Sequence, residues 1–268
     1  MHKHVALCAL LQTLARKEKG FFYLETHAGR GSYELASSAE GRASATAIER
    51  VIARAGGAAT PELIAYANAV ASWRARTGTH DAYPGSPAIA AMQLRSQDRA
   101  ALIELLPDEA SALERAVSAW PRVQVENGDG FERLKAFLPP RERRGLTLID
   151  PPYEQTREDY ARVGAAIVEA LRRFETGIIA IWYPIKDARD TSTWLATLQP
   201  RIAREALRSE LWLHPCDSRV ALNGSGLLTI NPPFGFAERM RAWLPELHAL
   251  LDPAGAGGCR LMPMEGAK

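Results

Sequence analysis

The sequence of 268 residues predicts an α/β fold: a mostly parallel sheet of seven strands with helices on both faces. Three observations predict it. Short apolar runs alternate with longer segments of helical periodicity. Several of the short runs end on an acid or a glycine turn, as strand ends beside a ligand do. The last two strand-like runs have no helix between them, so they form a terminal antiparallel hairpin at the sheet edge.

The elements follow in order. Leu7, Leu10, Leu11 and Leu14 repeat at helical spacing and mark an amphipathic core helix from about Lys3 to Arg16. A strand near Phe21 to Thr26 runs into a tight turn at Gly29 and Gly31. Residues 36–83 break the rhythm: they are alanine-rich, with helices expected around Ala43 to Ala55 and Pro61 to Arg76, and read as an inserted helical subdomain. The main domain then comprises residues 1–35 and 84–268. A helix opens at Ser86-Pro87, with serine as N-cap and proline in the first turn. Ala100 to Leu105 reads as a strand, Asp108 to Ala119 as a helix and Arg122 to Glu126 as a strand. Gly130 to Phe137 is a helix opened by Asp129, and the next strand ends at Asp150. A helix at about Glu158 to Phe174, a strand at Gly177 to Tyr183 and a helix at Arg189 to Leu198 come next. Strands near Glu205 to Leu213 and Gly226 to Asn231 precede a final helix over Ala237 to Leu250.

A hydrophobic content of 47% and a charged content of 24% are those of an ordinary soluble domain, which argues against disorder. The net charge of +2 means that any nucleic-acid site must come from local clusters of Lys and Arg. Arg141-Glu142-Arg143-Arg144 and Arg172-Arg173 are such clusters. Both suit a solvated face, although the first directly precedes the strand that delivers Asp150 and is therefore a candidate RNA contact. Cys8, Cys216 and Cys259 are too scattered for a disulfide framework or a Cys-x-x-Cys metal site, which fits a reducing cytoplasm. The histidines show no HExxH spacing, and no run is long enough to cross a membrane. No metal is expected.

The most informative stretch is Asp150-Pro151-Pro152-Tyr153, placed after the apolar run Leu146 to Ile149. The prolines hold the chain extended, so the Asp150 carboxylate and the Pro151 carbonyl present two fixed acceptors. Two such acceptors take both hydrogens of an exocyclic amine and draw its lone pair out of conjugation, while Tyr153 stacks on the ring. The nitrogen can then attack a methyl donor. Asn231-Pro232-Pro233-Phe234 is a competing match, but it is expected at the sheet edge, whereas Asp150 ends the strand beside the first at the switch point. Other strand ends supply Glu104, able to accept from a ribose diol, and Asp129, able to accept from an adenine amine, with Gly130 leaving room for the ring. The third glycine of the dinucleotide fingerprint is missing after Gly31, which disfavours NAD and leaves S-adenosylmethionine as a ligand the same sheet can hold.

Together these residues resemble the bacterial 23S rRNA adenine-N6 methyltransferases of the RlmJ (YhiR) type. The resemblance rests on Tyr23-Leu24-Glu25-Thr26-His27-Ala28-Gly29-x-Gly31-x-Tyr33, Tyr83-Pro84-Gly85-Ser86-Pro87, Asp129-Gly130-Phe131, Leu148 through Glu154, Trp182-Tyr183-Pro184 and Asn231-Pro232-Pro233. It implies a Rossmann-like, seven-stranded methyltransferase fold with a small helical insertion, and S-adenosylmethionine-dependent methylation of N6 of an adenine in 23S rRNA. It implies cofactor contacts by Lys3, His4, His27, Gly29, Ser86, Glu104, Asp129 and Gly130, and catalysis by Asp150 with Pro151, Pro152 and Tyr153. Family members usually carry a His- and aromatic-rich segment before the Lys-His pair, and this sequence begins at Met1-His2-Lys3-His4. The expected setting is a cytoplasmic monomer acting on 23S rRNA without a membrane. Two alternatives stand beside this reading: amino methylation of another acceptor, such as DNA adenine, and a truncated, inactive RNA-binding form.

Overall fold

The computed structural model describes residues 1–154, 156–215 and 222–264, so Cys216 lies outside the described residues. The chain opens with α1 (His2–Ala15) and β1 (Phe22–Glu25). A short strand β2 (Ser32–Glu34) leads to α2 (Ala39–Ala55) and α3 (Pro61–Thr77), and β3 (Ala82–Pro84) pairs back with β2. Then come α4 (Ser86–Gln93), β4 (Arg99–Glu104), α5 (Pro107–Val117), β5 (Val123–Asn127), α6 (Gly130–Phe137) and β6 (Gly145–Ile149). The second half holds α7 (Thr156–Arg173), β7 (Ile178–Ile185), α8 (Ala188–Leu198), β8 (Ala206–Trp212), β9 (Gly224–Ile230), α9 (Phe236–Leu251) and β10 (Gly258–Met264).

The main sheet runs β10-β8-β9-β7-β6-β1-β4-β5. Strands β5, β4, β1, β6 and β7 are parallel, and β9 is antiparallel to both β7 and β8. The doubly wound class is as expected, with two corrections. The sheet has eight strands, because β10 adds to β8. Its half-exposed residues do not alternate cleanly, and Pro263 is tolerated because an edge strand needs a ladder on one side only. Strand β9 is not at the edge; it sits between β7 and β8.

Parallel strands buried on both faces read as continuous apolar runs, and β6 (Gly-Leu-Thr-Leu-Ile) is buried throughout. One face carries α1, α3, α4 and α9, whose buried residues include Leu10, Tyr66, Ile89 and Trp243. The other carries α6, α7 and α8 through Leu134, Ile167 and Leu195. Large side chains of this kind each contribute about 1.5–3 kcal/mol when fully buried. Helix α1 is covered more completely than an amphipathic surface helix, because α3, α4 and α9 all pack on it. That placement brings the start of α1 over the C-terminal ends of the parallel strands.

No helix among the described residues is long and apolar enough to cross a membrane.

Candidate functional site

In the order β5-β4-β1-β6 the strand ends bearing Asp129, Glu104, Glu25 and Asp150 lie side by side, about 4.8 Å apart per strand. The expected convergence is therefore met. Glu104 accepts hydrogen bonds from the Gly29 amide (2.7 Å) and the Leu106 amide (2.9 Å), which ties the glycine turn to the end of β4. Gly29 has φ +61°, and a Cβ there would stand 2.5 Å from the Tyr33 hydroxyl. A Cβ on Gly130 would fall 1.8 Å from the Thr26 carbonyl, so the start of α6 touches the end of β1 backbone to backbone.

His27 lies between these two turns, with its ring edge-on to Phe131 at 4.6 Å and Nδ1 2.8 Å from Thr26 Oγ1. Burial pushes its pKa down to about 4, so the ring is neutral at neutral pH. Asp129 caps α6 through the amides of Phe131 and Glu132, and its other oxygen accepts from Arg162 at 2.5 Å. Burial raises its carboxyl, but Arg162 and the helix amides outweigh that and hold it below the usual range. Both oxygens are thus engaged, and an adenine amine would have to share Asp129 with Arg162.

From above, Lys3 on α1 is ion-paired with Asp150. Burial pulls the Lys3 ammonium down, but Asp150, with Glu25 behind it, outweighs burial and leaves the pKa above its ordinary value. His4 places Nδ1 2.7 Å from the Tyr83 hydroxyl, which is 3.0 Å from the Tyr66 hydroxyl. The first turn of α1 is thereby joined to β3 and α3. Burial, then the Lys3 charge, pushes His4 well below its ordinary pKa.

Ser86 does not cap α4; Gly85 holds the N-cap position, and the Ser86 hydroxyl donates to Glu25 at 2.5 Å. Tyr23 donates to the second Glu25 oxygen at 2.8 Å. Glu25 is fully buried, and desolvation lifts its pKa to about 7. From the sequence alone, Glu25 has no role of its own. The signal was present: an acid closing the wholly apolar run Phe-Phe-Tyr-Leu.

Three expectations need correction. Tyr153 is not presented to the cleft: it is fully buried on the α7 and α8 side, with φ +53°, and its hydroxyl donates to the Trp182 carbonyl at 2.6 Å. The Asn231 motif faces the opposite end of the sheet, because β9 is antiparallel and Ile230 pairs with Ile179 near the start of β7. There the Asn231 side chain donates to the carbonyls of Glu175 (2.9 Å) and Gly177 (2.8 Å), a loop-holding role. The Arg141–Arg144 cluster stands at the start of β6, the far end from Asp150. Its Glu142 pairs with Arg99, and Arg144 donates to the Leu14 carbonyl at 2.9 Å.

Trp182, which the sequence reading gives no role, also lines the cleft beside Asp150. With Lys3, His4, Tyr33, Tyr83, Asp150 and Ser225 it borders a cavity of about 680 Å³, large enough for a nucleobase and its sugar.

Residues 18–263 match the family described as ribosomal RNA large subunit methyltransferase D, RlmJ. The chain belongs to the RlmJ family. It is 40% identical over 257 residues to the ribosomal RNA large subunit methyltransferase J of Escherichia coli strain K12, covering 95% of this chain and 90% of that one. It is 41% identical over 256 residues to the protein of the same name from Haemophilus influenzae, with the same coverage. The crystal structure of protein LPL1258 from Legionella pneumophila is similar with a TM-score of 0.87 at 35% identity, covering 99% of this chain and 96% of that one. A likeness covering 99% of this chain takes in the α2–α3 segment and β10 as well as the central strands.

The site also suits the methyl donor such an enzyme needs. Glu104 closes β4 with each carboxylate oxygen accepting one backbone amide, and Leu105 and Leu106 directly after it expose apolar side chains. At Gly29 and Gly130 a Cβ would collide, so the backbone there admits close approach.

Proposed function

We propose that this protein methylates N6 of an adenine in 23S rRNA, using S-adenosylmethionine, with Asp150 as the acceptor that positions the amine. RlmJ-family membership carries the reaction class; the atom and the residue roles are our reading. The single observation that carries it is the position of Asp150, at the C-terminal end of β6 next to β1, where the sheet order reverses.

S-adenosylmethionine, when bound, supplies an electrophilic methyl group on a sulfonium. Glu104, Asp129, Gly29, Gly130 and His27 would hold its nucleoside, and Lys3, His4 and Ser86 would face its amino-acid end. Asp150 and the Pro151 carbonyl then accept the two hydrogens of the adenine amine and turn its lone pair toward the donor. For these contacts the adenine must leave its stack, as single-stranded or flipped bases do. Asp150, already accepting one of the amine hydrogens, would take the proton that the nitrogen must lose on methylation. The protein is expected to act as a monomer in the cytoplasm.

The test is transfer of labelled methyl from S-adenosylmethionine to protein-free, unmodified 23S rRNA, with DNA as a competing acceptor, followed by nucleoside analysis. N6-methyladenosine at one rRNA site is the expected product. Label in DNA, in another nucleoside, or in neither acceptor would overturn the reading.

A further inference from the structure

The register of the sheet places an aromatic ring beside Asp150 that is not the tyrosine of its own motif. Strand β6 pairs with β7 from Leu146 opposite Ile178 to Ile149 opposite Ile181. One step further, Asp150 lies next to Trp182. Partners on neighbouring parallel strands point to the same face, and Leu148 and Ala180, two residues back on each strand, both lie in the core under α1. Asp150 and Trp182 therefore point into the same cavity, which both of them border.

The indole is held from two sides. Its N–H donates to Ser225 Oγ on β9 at 2.7 Å. Ser225 in turn meets His2 Nδ1 at 3.1 Å through its carbonyl and 3.2 Å through its hydroxyl, and His2 Nε2 lies 3.0 Å from Ser209 Oγ. Below it, the Tyr153 hydroxyl holds the Trp182 carbonyl, with the two rings 5.9 Å apart and tilted by 60°. Tyr153 itself packs edge-on to Tyr160 at 5.5 Å and has no solvent-facing surface. A ring enclosed in that way cannot take a base on its face without leaving the core, whereas Trp182 is only part-buried and is already at the cavity wall.

We propose that Trp182 is the platform on which the target base stacks, and that Tyr153 is a positioning residue that holds the Trp182 backbone. This rests on the functional reading above and adds the residue that binds the ring. An indole offers the largest stacking face among the side chains, and its N–H is spent on Ser225, so the face is left to any purine regardless of its edge.

The test compares wild type, Trp182→Phe and Trp182→Leu in methyl transfer to unmodified 23S rRNA, alongside S-adenosylmethionine binding by calorimetry. A second measurement uses protein labelled with 5-fluorotryptophan, whose Trp182 resonance is assigned by its loss in Trp182→Phe, titrated with the same RNA. We expect kcat/KM to fall about 10- to 100-fold in Trp182→Leu, as the loss of one base stack predicts, and to fall only about 3-fold in Trp182→Phe. Cofactor affinity should stay within about 2-fold, and the Trp182 fluorine signal should move on RNA addition. Wild-type kcat/KM in Trp182→Leu, or a Trp182 signal unmoved by RNA in the active protein, would overturn the assignment. Inactivity of the wild-type protein itself would instead overturn the functional reading on which it rests.

Discussion

Lys3 and Asp150 form an ion pair across the cleft, with both side chains largely buried, so the first turn of α1 reaches the end of β6 through a single charged contact. The carboxylate expected to receive an amine is thus already held by an ammonium. An incoming base must either share Asp150 with Lys3 or displace it. Lys3→Met should lower methyl transfer about 10-fold or more, and should lower stability by about 1–3 kcal/mol, because it leaves a largely buried carboxylate without its partner. Denaturant unfolding and initial rates measured on the same preparation check both halves. A variant with unchanged rate and unchanged stability would show the pair to be idle.

Asp150→Asn keeps the shape of the side chain but removes the charge and one acceptor. Transfer is expected to drop by about 100- to 1000-fold, the scale seen when a preorganised electrostatic partner is lost, while cofactor binding stays within about 2-fold. Single-turnover transfer with saturating cofactor reads the first, and calorimetry the second. Substantial turnover in the variant would move the catalytic acceptor elsewhere.

Glu104→Ala addresses the other half of the site. It removes the carboxylate that holds the Gly29 and Leu106 amides and is proposed to meet the donor's ribose. Affinity for S-adenosylmethionine should weaken about 10-fold, corresponding to one or two charged hydrogen bonds. The maximal rate at saturating cofactor should change far less, so the effect belongs to KM for the donor.

Glu25 predicts a pH effect. Its folded pKa of about 7 lies above the ordinary 4.5, with burial as the largest cause, so the folded state favours the protonated acid. Its contribution to stability is therefore fully present below about 4.5 and is lost as pH rises through about 7. The swing is on the order of 3 kcal/mol. Glu25→Gln, which mimics the protonated form toward Ser86 and Tyr23, should be less sensitive to pH than wild type over that window. Thermal unfolding at pH 5 and pH 8 measures it; parallel pH profiles for the two proteins would refute the assignment.

Asn231→Ala separates the two Pro-Pro motifs. It removes two hydrogen bonds to the loop before β7 and places alanine at φ +53°, so stability should fall by about 1–3 kcal/mol. The methyl-transfer rate at 25 °C should be that of wild type, because Asn231 stands at the far end of the sheet from Asp150.

What was legible in the sequence was whatever depends on local pattern. Apolar runs closed by Asp150, Glu104 and the Asp129-Gly130 pair marked strand ends, and alternation with helices required a parallel sheet that brings such ends together. The helix start at Asp129 is legible because capping is decided by neighbours in the chain. Ser86 departs from its expected capping role for the complementary reason: its hydroxyl donates to the buried Glu25, 61 positions away, and not to the helix end beside it. β10 is not legible because a half-exposed edge strand need not alternate.

The sequence by itself determined the reaction class, because the motifs that place the chain in the RlmJ family are local in the chain. Only the tertiary structure decided which of the two Pro-Pro motifs faces the cleft, since that follows from strand direction in the assembled sheet. It also decided that Tyr153 lies beneath the sheet, that Trp182 stands beside Asp150, and that Lys3 closes on that carboxylate. These are contacts between residues far apart in sequence. They are set by register and packing, which no local pattern encodes.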